Sequence, residues 1–307
     1  MSAFASLIGQ PQAIELLSQA IAQDRVAPAY LFAGSVGIGK RLAAESFVEL
    51  LFADDRQRVK PRNHPDLLWV EPTFLHQGKR LSPAEAEVAG VKKRIPPQIR
   101  LEQIREITLF LSRPPLEAGR SVVIIDQAET MAEPAANALL KTLEEPGQAT
   151  LILLAPSLES LLPTLVSRCQ TIPFYRLDRT HMAQVLEKIG RTEILQRSEI
   201  LALAQGSPGA AIIHWQQLQT ISPEILQAVA QMPRSLREAL TIARQVSKTL
   251  DFESQLWLVD YLQHAYWQQS RDILSLQLLE KARDSLLAYA QSQLVWEVTL
   301  MGMMQSF

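Results

Sequence analysis

Between Gln10 and Asp24 apolar side chains recur at Ile14, Leu17 and Ile21, the spacing of one helical face. The next apolar run, Tyr30-Leu31-Phe32-Ala33, is short and continuous, which predicts a buried strand, and a glycine-punctuated loop follows it at once. Leu42 to Phe52 returns to helical spacing, and Leu67-Leu68-Trp69-Val70 reads as a second strand. Leu101, Ile104, Ile107 and Leu111 mark an amphipathic helix closed by Pro114-Pro115. Val122-Val123-Ile124-Ile125 and Leu151-Ile152-Leu153-Leu154 predict strands bounded by polar residues. Between them, Ala135 to Leu143 is expected to be a helix, with Pro134 near its start and Pro146 beyond its end. Gln170 to Phe174 is expected to close the sheet. The polar, proline-containing stretch from Thr73 to Pro97 is expected to be a surface excursion. Strands alternating with helices predict a parallel sheet joined by crossover helices.

Beyond Asp178 the β-branched apolar runs stop and helical periods continue to the end. Gly206-Ser207-Pro208-Gly209 interrupts them once. Leu256, Val259, Leu262 and Tyr266, then Leu276, Leu279, Leu286 and Tyr289, give the last part the apolar faces of a helical bundle. The expected fold class is α/β followed by all-α, divided as an α/β domain over residues 1–176, a small helical domain over 177–213 and a helical domain over 214–307.

Composition narrows the chemistry. The 307 residues are 47% hydrophobic, enough for a sizeable core, and 30 basic against 32 acidic residues leave a net charge of −2, so the chain as a whole has no strong pull on a polyanion. A single cysteine, Cys169, excludes an internal disulfide or a multi-thiolate zinc site and fits a reducing compartment. No apolar run approaches a membrane span and no basic, apolar leader is evident, so a soluble cytoplasmic protein is expected.

Gly34-Ser35-Val36-Gly37-Ile38-Gly39-Lys40 matches GxxxxGK after a strand and before a helix. Such a loop turns backbone N–H groups toward phosphate oxygens, the helix N-terminus adds positive potential, and Lys40 adds a mobile charge. A purely structural glycine turn is the bland alternative. The motif then wants a Ser or Thr hydroxyl for Mg²⁺, but Arg41 stands there, with no acceptor atom and a positive charge. The strand ending in Asp126 reads as a Walker B strand, yet Gln127 follows where many ATPases place a water-polarising Glu. Glu129 either substitutes for it or is a solvated first-turn carboxylate. The residues expected to hold a nucleotide are Gly34, Gly37, Gly39, Lys40, Arg41 and Asp126.

This loop, the run Asn137-Ala138-Leu139-Leu140-Lys141-Thr142-Leu143-Glu144-Glu145-Pro146 and the triplet Ser167-Arg168-Cys169 together resemble the bacterial clamp-loader subunits of the AAA+ class. Leu7-Ile8-Gly9-Gln10, Ala27-Pro28-Ala29-Tyr30-Leu31-Phe32 and Asn63-His64-Pro65-Asp66-Leu67 resemble the delta-prime branch more than the motor branch. The resemblance implies a P-loop AAA+ domain, a helical lid and a C-terminal collar. It implies that Arg168 is an arginine finger acting in trans on a neighbour's ATP; a surface arginine paired with a carboxylate is the bland alternative. It also implies a ring with delta and gamma/tau subunits that loads a sliding clamp on primed DNA as part of the DNA polymerase III holoenzyme. The lid segment of motor subunits carries an arginine, whereas Gly206-Ser207-Pro208-Gly209-Ala210 offers Ala210. The implied role is a stator with little or no ATPase activity of its own; because Lys40 and the glycines persist, weak binding of ATP or ADP, with weakly held Mg²⁺, is expected. Two other readings stay open: an active AAA+ ATPase, and an architectural protein-binding module without nucleotide.

Many delta-prime chains carry a cysteine zinc module, but Ala53 to Asn63 holds no cysteine, so no zinc and no other resident metal is expected. Asp54, Asp55, Arg56, Arg58, Lys60 and Arg62 are expected to form a solvated linker, and His64 to be structural. The histidines at 64, 76, 181, 214 and 264 lack metal-ligand spacing. Lys92-Lys93-Arg94 could touch DNA or be a solvated surface, Cys169 is expected to be a packed side chain, and Trp257, Tyr261, Tyr266 and Trp267 suit either a collar interface or a core.

Overall fold

A computed structural model describes residues 4–52, 58–59, 62–90, 96–231, 233–269 and 273–304. Asp54, Asp55, Arg56, Lys60 and the Lys92-Lys93-Arg94 run lie outside the described residues. The chain forms two compact units, residues 1–185 and 186–307.

The first unit runs α1 (Pro11–Ala22), β1 (Ala29–Ala33), α2 (Lys40–Leu51), β2 (Leu67–Val70), β3 (Phe74–His76), β4 (Lys79–Leu81), α3 (Pro83–Val88), α4 (Leu101–Leu111), β5 (Ser121–Ile125), α5 (Glu133–Glu144), β6 (Ala149–Ala155), α6 (Pro163–Val166) and β7 (Gln170–Pro173). Among the described residues, five strands form one sheet in the order β2-β5-β6-β1-β7, with every pairing parallel. Parallel sheets bury both faces, which is why these strands read as continuous apolar runs. Tyr30, Phe32, Ile124 and Ile152 pack on one side with Leu17 and Phe47 from α1 and α2. Leu31, Val123, Ile125 and Leu153 pack on the other with Ile104, Ile107 and Leu139 from α4 and α5. Each of these large side chains, fully removed from water, contributes about 1.5–3 kcal/mol.

The expected excursion from Thr73 is more ordered than its polarity suggested. β3 and β4 pair as a hairpin whose turn residues Gln77 and Gly78 both have positive φ, 50° and 77°, as a tight primed turn requires. Leu75 and His76 are exposed, so no buried alternation announced the strands. Helix α2 starts at Lys40 rather than Leu42, which places Lys40 and Arg41 in its first turn.

The second unit is helical among its described residues. The division falls within α7 (Arg179–Lys188), and α8 (Ser198–Ala204), α9 (Pro208–Thr220), α10 (Pro223–Ala230), α11 (Leu236–Thr249), α12 (Phe252–Gln269), α13 (Ile273–Leu287) and α14 (Ser292–Met304) follow. α9 carries the chain unbroken through residues 213 and 214. Ser207 begins α9 as its N-cap, accepting the Ala210 N–H at 3.2 Å. Trp296 is fully buried and donates to Gln255 Oε1 at 3.0 Å, while Trp257 donates to His214 Nδ1 at 2.9 Å and stacks on Tyr261. Tyr266 is buried with its hydroxyl on the Val229 carbonyl, so Trp257 and Tyr266 are core residues and Trp267 is exposed. Tyr289 departs from the expected stripe: it lies past the end of α13 with φ 57° and is exposed, stacked on Phe252. Among the described residues, no helix is long and apolar enough to cross a membrane.

Candidate functional site: a phosphate loop closed by an arginine

The chain leaves β1 at Gly34, whose N–H donates to the Ala155 carbonyl of β6 at 3.2 Å. A Cβ at Gly34 would stand 2.5 Å from the Phe174 carbonyl oxygen, so only glycine lets the loop pass the end of β7. Gly39 has φ 108°, which lets the last turn of the loop enter α2. The loop therefore lies outside the carboxyl ends of the strands, where parallel α/β sheets place their ligands.

Lys40 Nζ donates to the carbonyls of Gly34 and of Ser35, the latter at 2.9 Å. Burial lowers its pKa to about 8, against the opposing pull of the Glu129 and Asp126 carboxylates. Arg41 turns to the acids at the strand ends. Its Nη2 donates to Asp126 Oδ2 at 2.6 Å and to Glu71 Oε2 at 3.3 Å, and the guanidinium lies 5.1 Å from the centre of the Trp69 ring. Arg62 approaches the same Glu71 at 3.6 Å and the same ring at 4.0 Å. Gln103 at the start of α4 donates to the Glu71 carbonyl at 2.9 Å and fixes that segment.

Asp126 follows β5, its N–H bound to Val70 of β2 at 2.8 Å, and its Oδ1 accepts the Gln127 N–H at 3.0 Å. Gln127 is exposed in the left-handed conformation, φ 52°. Glu129 corrects the picture of a solvated carboxylate: it is half-buried, its pKa is raised by that burial, and its Oε2 is buried without a hydrogen-bond partner. A cavity of about 310 Å³ has Gly37, Gly39, Lys40, Arg41, Asp126 and Glu129 in its wall. Of the expected nucleotide residues, only Gly34 is absent from that wall; its part is the close passage beside Phe174.

A P-loop of this kind ordinarily seats Mg²⁺ between the residue after its lysine and the strand-end acid. The donor set here does not fit that ion, because the first position is a cation and the Asp126 carboxylate is already paired with it. Among the described residues no group of three or more His, Cys, Asp or Glu side chains could hold a metal.

Arg168 stands apart, just past α6, and does not line the cavity. Its Nη2 donates to Glu144 Oε1 at 2.7 Å and its Nη1 to the Thr164 carbonyl at 3.0 Å, with the side chain 37% exposed. Cys169 beside it packs against the α4–α5 core, and burial pushes its thiol up to about 11, which makes it an inert side chain.

The remaining motif residues build the frame. His64 stacks on Phe52 with ring centres 4.2 Å apart and accepts the Asp66 N–H at 3.1 Å. Gln10 holds both the N–H and the carbonyl of Tyr175. Arg58 and Arg62, expected in a solvated linker, pair with Glu117 and Glu71. Sequence reasoning missed Glu71, Trp69 and Glu144, the partners of the two arginines; the charge of Arg41 beside a Walker B acid was the signal available for the first.

This strand order, with the loop after β1 and an acid after β5, defines the first unit as an AAA+-type P-loop domain, followed by a helical C-terminal region. Residues 9–178 match the family described as "DNA polymerase III, delta subunit", and residues 180–303 match "Cyanobacterial DNA polymerase III delta prime, C-terminal domain". The chain belongs to the DNA polymerase III delta-prime family, within the clamp-loader AAA+ proteins. It is 34% identical over 180 residues to DNA polymerase III subunit delta' of Bacillus subtilis, covering 55% of this chain and 48% of that one. It is 32% identical over 239 residues to the delta' subunit of Pseudomonas aeruginosa, covering 71% and 65%. The chain thus spans about half to two thirds of these relatives. A solved gamma subunit-related protein from Thermotoga maritima superposes with a TM-score of 0.52 at 22% identity, over 96% of this chain and 99% of that one, a likeness of fold.

Proposed function

We propose that the chain is the stator of a clamp loader: it sits in a ring with delta and gamma/tau subunits, presents Arg168 to ATP held by a neighbouring motor subunit, and assists loading of a sliding clamp onto primed DNA. The observation that carries this reading is the Arg41–Asp126 pair, which occupies the strand-end acid that hydrolysis would need, while a second arginine, Arg168, lies at the surface. Gln127 beside Asp126 can orient water but cannot take its proton, which supports the same reading. In the single chain Glu144 holds the Arg168 guanidinium, so reaching a neighbour's phosphate exchanges one anion for another.

The test is Arg168→Ala in the reconstituted complex. Assembly is expected to be normal and clamp-stimulated hydrolysis to fall, because arginine fingers are worth about 10³–10⁵ in rate at the one site they serve. Undiminished turnover would refute the assignment. Nucleotide binding by the chain's own loop, without turnover, is part of this reading. Glu129 favours a second one: a half-buried carboxylate in the cavity wall could act as a base, making the chain an ATPase. Phosphate release by the purified chain decides between them, and none is expected.

A further inference from the structure

Arg41 is 45% exposed, yet three side chains hold it. Nη2 meets Asp126 at 2.6 Å and Glu71 at 3.3 Å, and the guanidinium rests over Trp69. Glu71 is itself fixed, through its carboxylate by Arg62 and through its carbonyl by Gln103. The side chain starts from the first turn of α2, one residue after Lys40, and ends at the carboxylate after β5. Those are the two points between which a magnesium-dependent loop suspends its ion. Both acid contacts among the described residues use Nη2, which leaves the other N–H groups of a side chain that is part of the cavity wall available as donors.

We propose that Arg41 is a built-in replacement for the divalent cation, and that the loop takes a nucleoside di- or triphosphate as the metal-free anion. A guanidinium keeps its charge at any physiological pH and offers a planar fork to phosphate oxygens. Asp126 spends its charge on Arg41 and does not repel the ligand. Lys40 and the glycine-loop N–H groups supply the remaining donors. A divalent ion brought in with the nucleotide would have to share Asp126 with a fixed cation at 2.6 Å, so it gains little there. The inference rests on the loop being a nucleotide site and adds what ionic form it accepts.

Equilibrium dialysis of the full chain against labelled ATP and ADP, once with EDTA and once with excess Mg²⁺, tests it. For the unaltered chain the two dissociation constants are expected to agree within about threefold, or to favour EDTA. Arg41→Thr, which restores the hydroxyl, is expected to lose roughly tenfold or more in EDTA and to recover when Mg²⁺ is added. A thermal melt establishes that the variant is folded, and the comparison on the unaltered chain stands without it. Binding that requires Mg²⁺, binding in neither medium, or an Arg41→Thr chain that still binds in EDTA overturns the proposal. The Arg168 reading is untouched by any of these outcomes, since it concerns ATP held by another subunit.

Discussion

Asp66 shows how much one side chain of the Asn-His-Pro-Asp segment carries. Burial by itself would raise its carboxyl, but three backbone N–H groups, from Leu116, Glu117 and Ala118 at 2.7 to 2.8 Å, bring it below its ordinary value of 3.8. A depressed carboxylate stabilises fully above 3.8 and loses that contribution as pH falls through its lower folded value. Asp66→Asn is therefore expected to cost about 2 kcal/mol at neutral pH and to narrow the gap to the parent in acid, read by denaturant unfolding at several pH values. Gly34→Ala should cost about 1–3 kcal/mol in the same assay, because its Cβ would meet the Phe174 carbonyl at 2.5 Å. Lys40, lowered to about 8 by burial, is charged at pH 7 among Asp126, Glu129 and Arg41. Nucleotide affinity at this loop is expected to hold up to pH 8 and to decline above it, since binding must then draw a proton; a flat profile from pH 7 to 9.5 would exclude Lys40 from the contact.

At the level of single elements, α5 divides its motif between two tasks. Leu139, Thr142 and Leu143 are buried against the sheet, whereas Asn137, Lys141 and Glu144 face outward. Leu139→Ala is expected to destabilise by about 2–5 kcal/mol, as a fully buried leucine does. Glu144→Ala breaks only an exposed ion pair with Arg168 and should cost under about 1 kcal/mol. If Glu144→Ala proves as damaging to the melt as Leu139→Ala, the outward face has a structural duty that these contacts do not account for. The strands and helices around the sheet were legible because parallel strands buried on both faces must be continuous apolar runs. The β3–β4 hairpin was not, because Leu75, His76, Lys79 and Arg80 are all exposed and leave no buried alternation, and its order comes from a two-residue turn and from Arg80 pairing with Glu106 of α4.

For the molecule as a whole, each unit owns a core: the two-sided sheet in residues 1–185, and Leu258, Leu262, Leu279, Trp296 and Leu300 in residues 186–307. Residues 1–188, which keep α7 whole, are expected to melt cooperatively when expressed alone, monitored by circular dichroism. A non-cooperative melt of that fragment would show that the first unit depends on the second.

The amino-acid order alone determined the α/β-then-helical layout, the loop from Gly34 to Lys40, the acid after the third apolar run and the family resemblance, because each is written in local spacing: period two or continuous for strands, three to four for helices, glycines where the chain must turn. What Arg41 and Arg168 touch was beyond it. Asp126 lies 85 residues from Arg41, and Glu144 lies 24 from Arg168. Only the parallel pairing of β2, β5, β6 and β1 carries the loop and the strand-end acid to the same, carboxyl end of the strands. A sequence shows that a cation has replaced a hydroxyl; the sheet decides that its charge lands on the carboxylate.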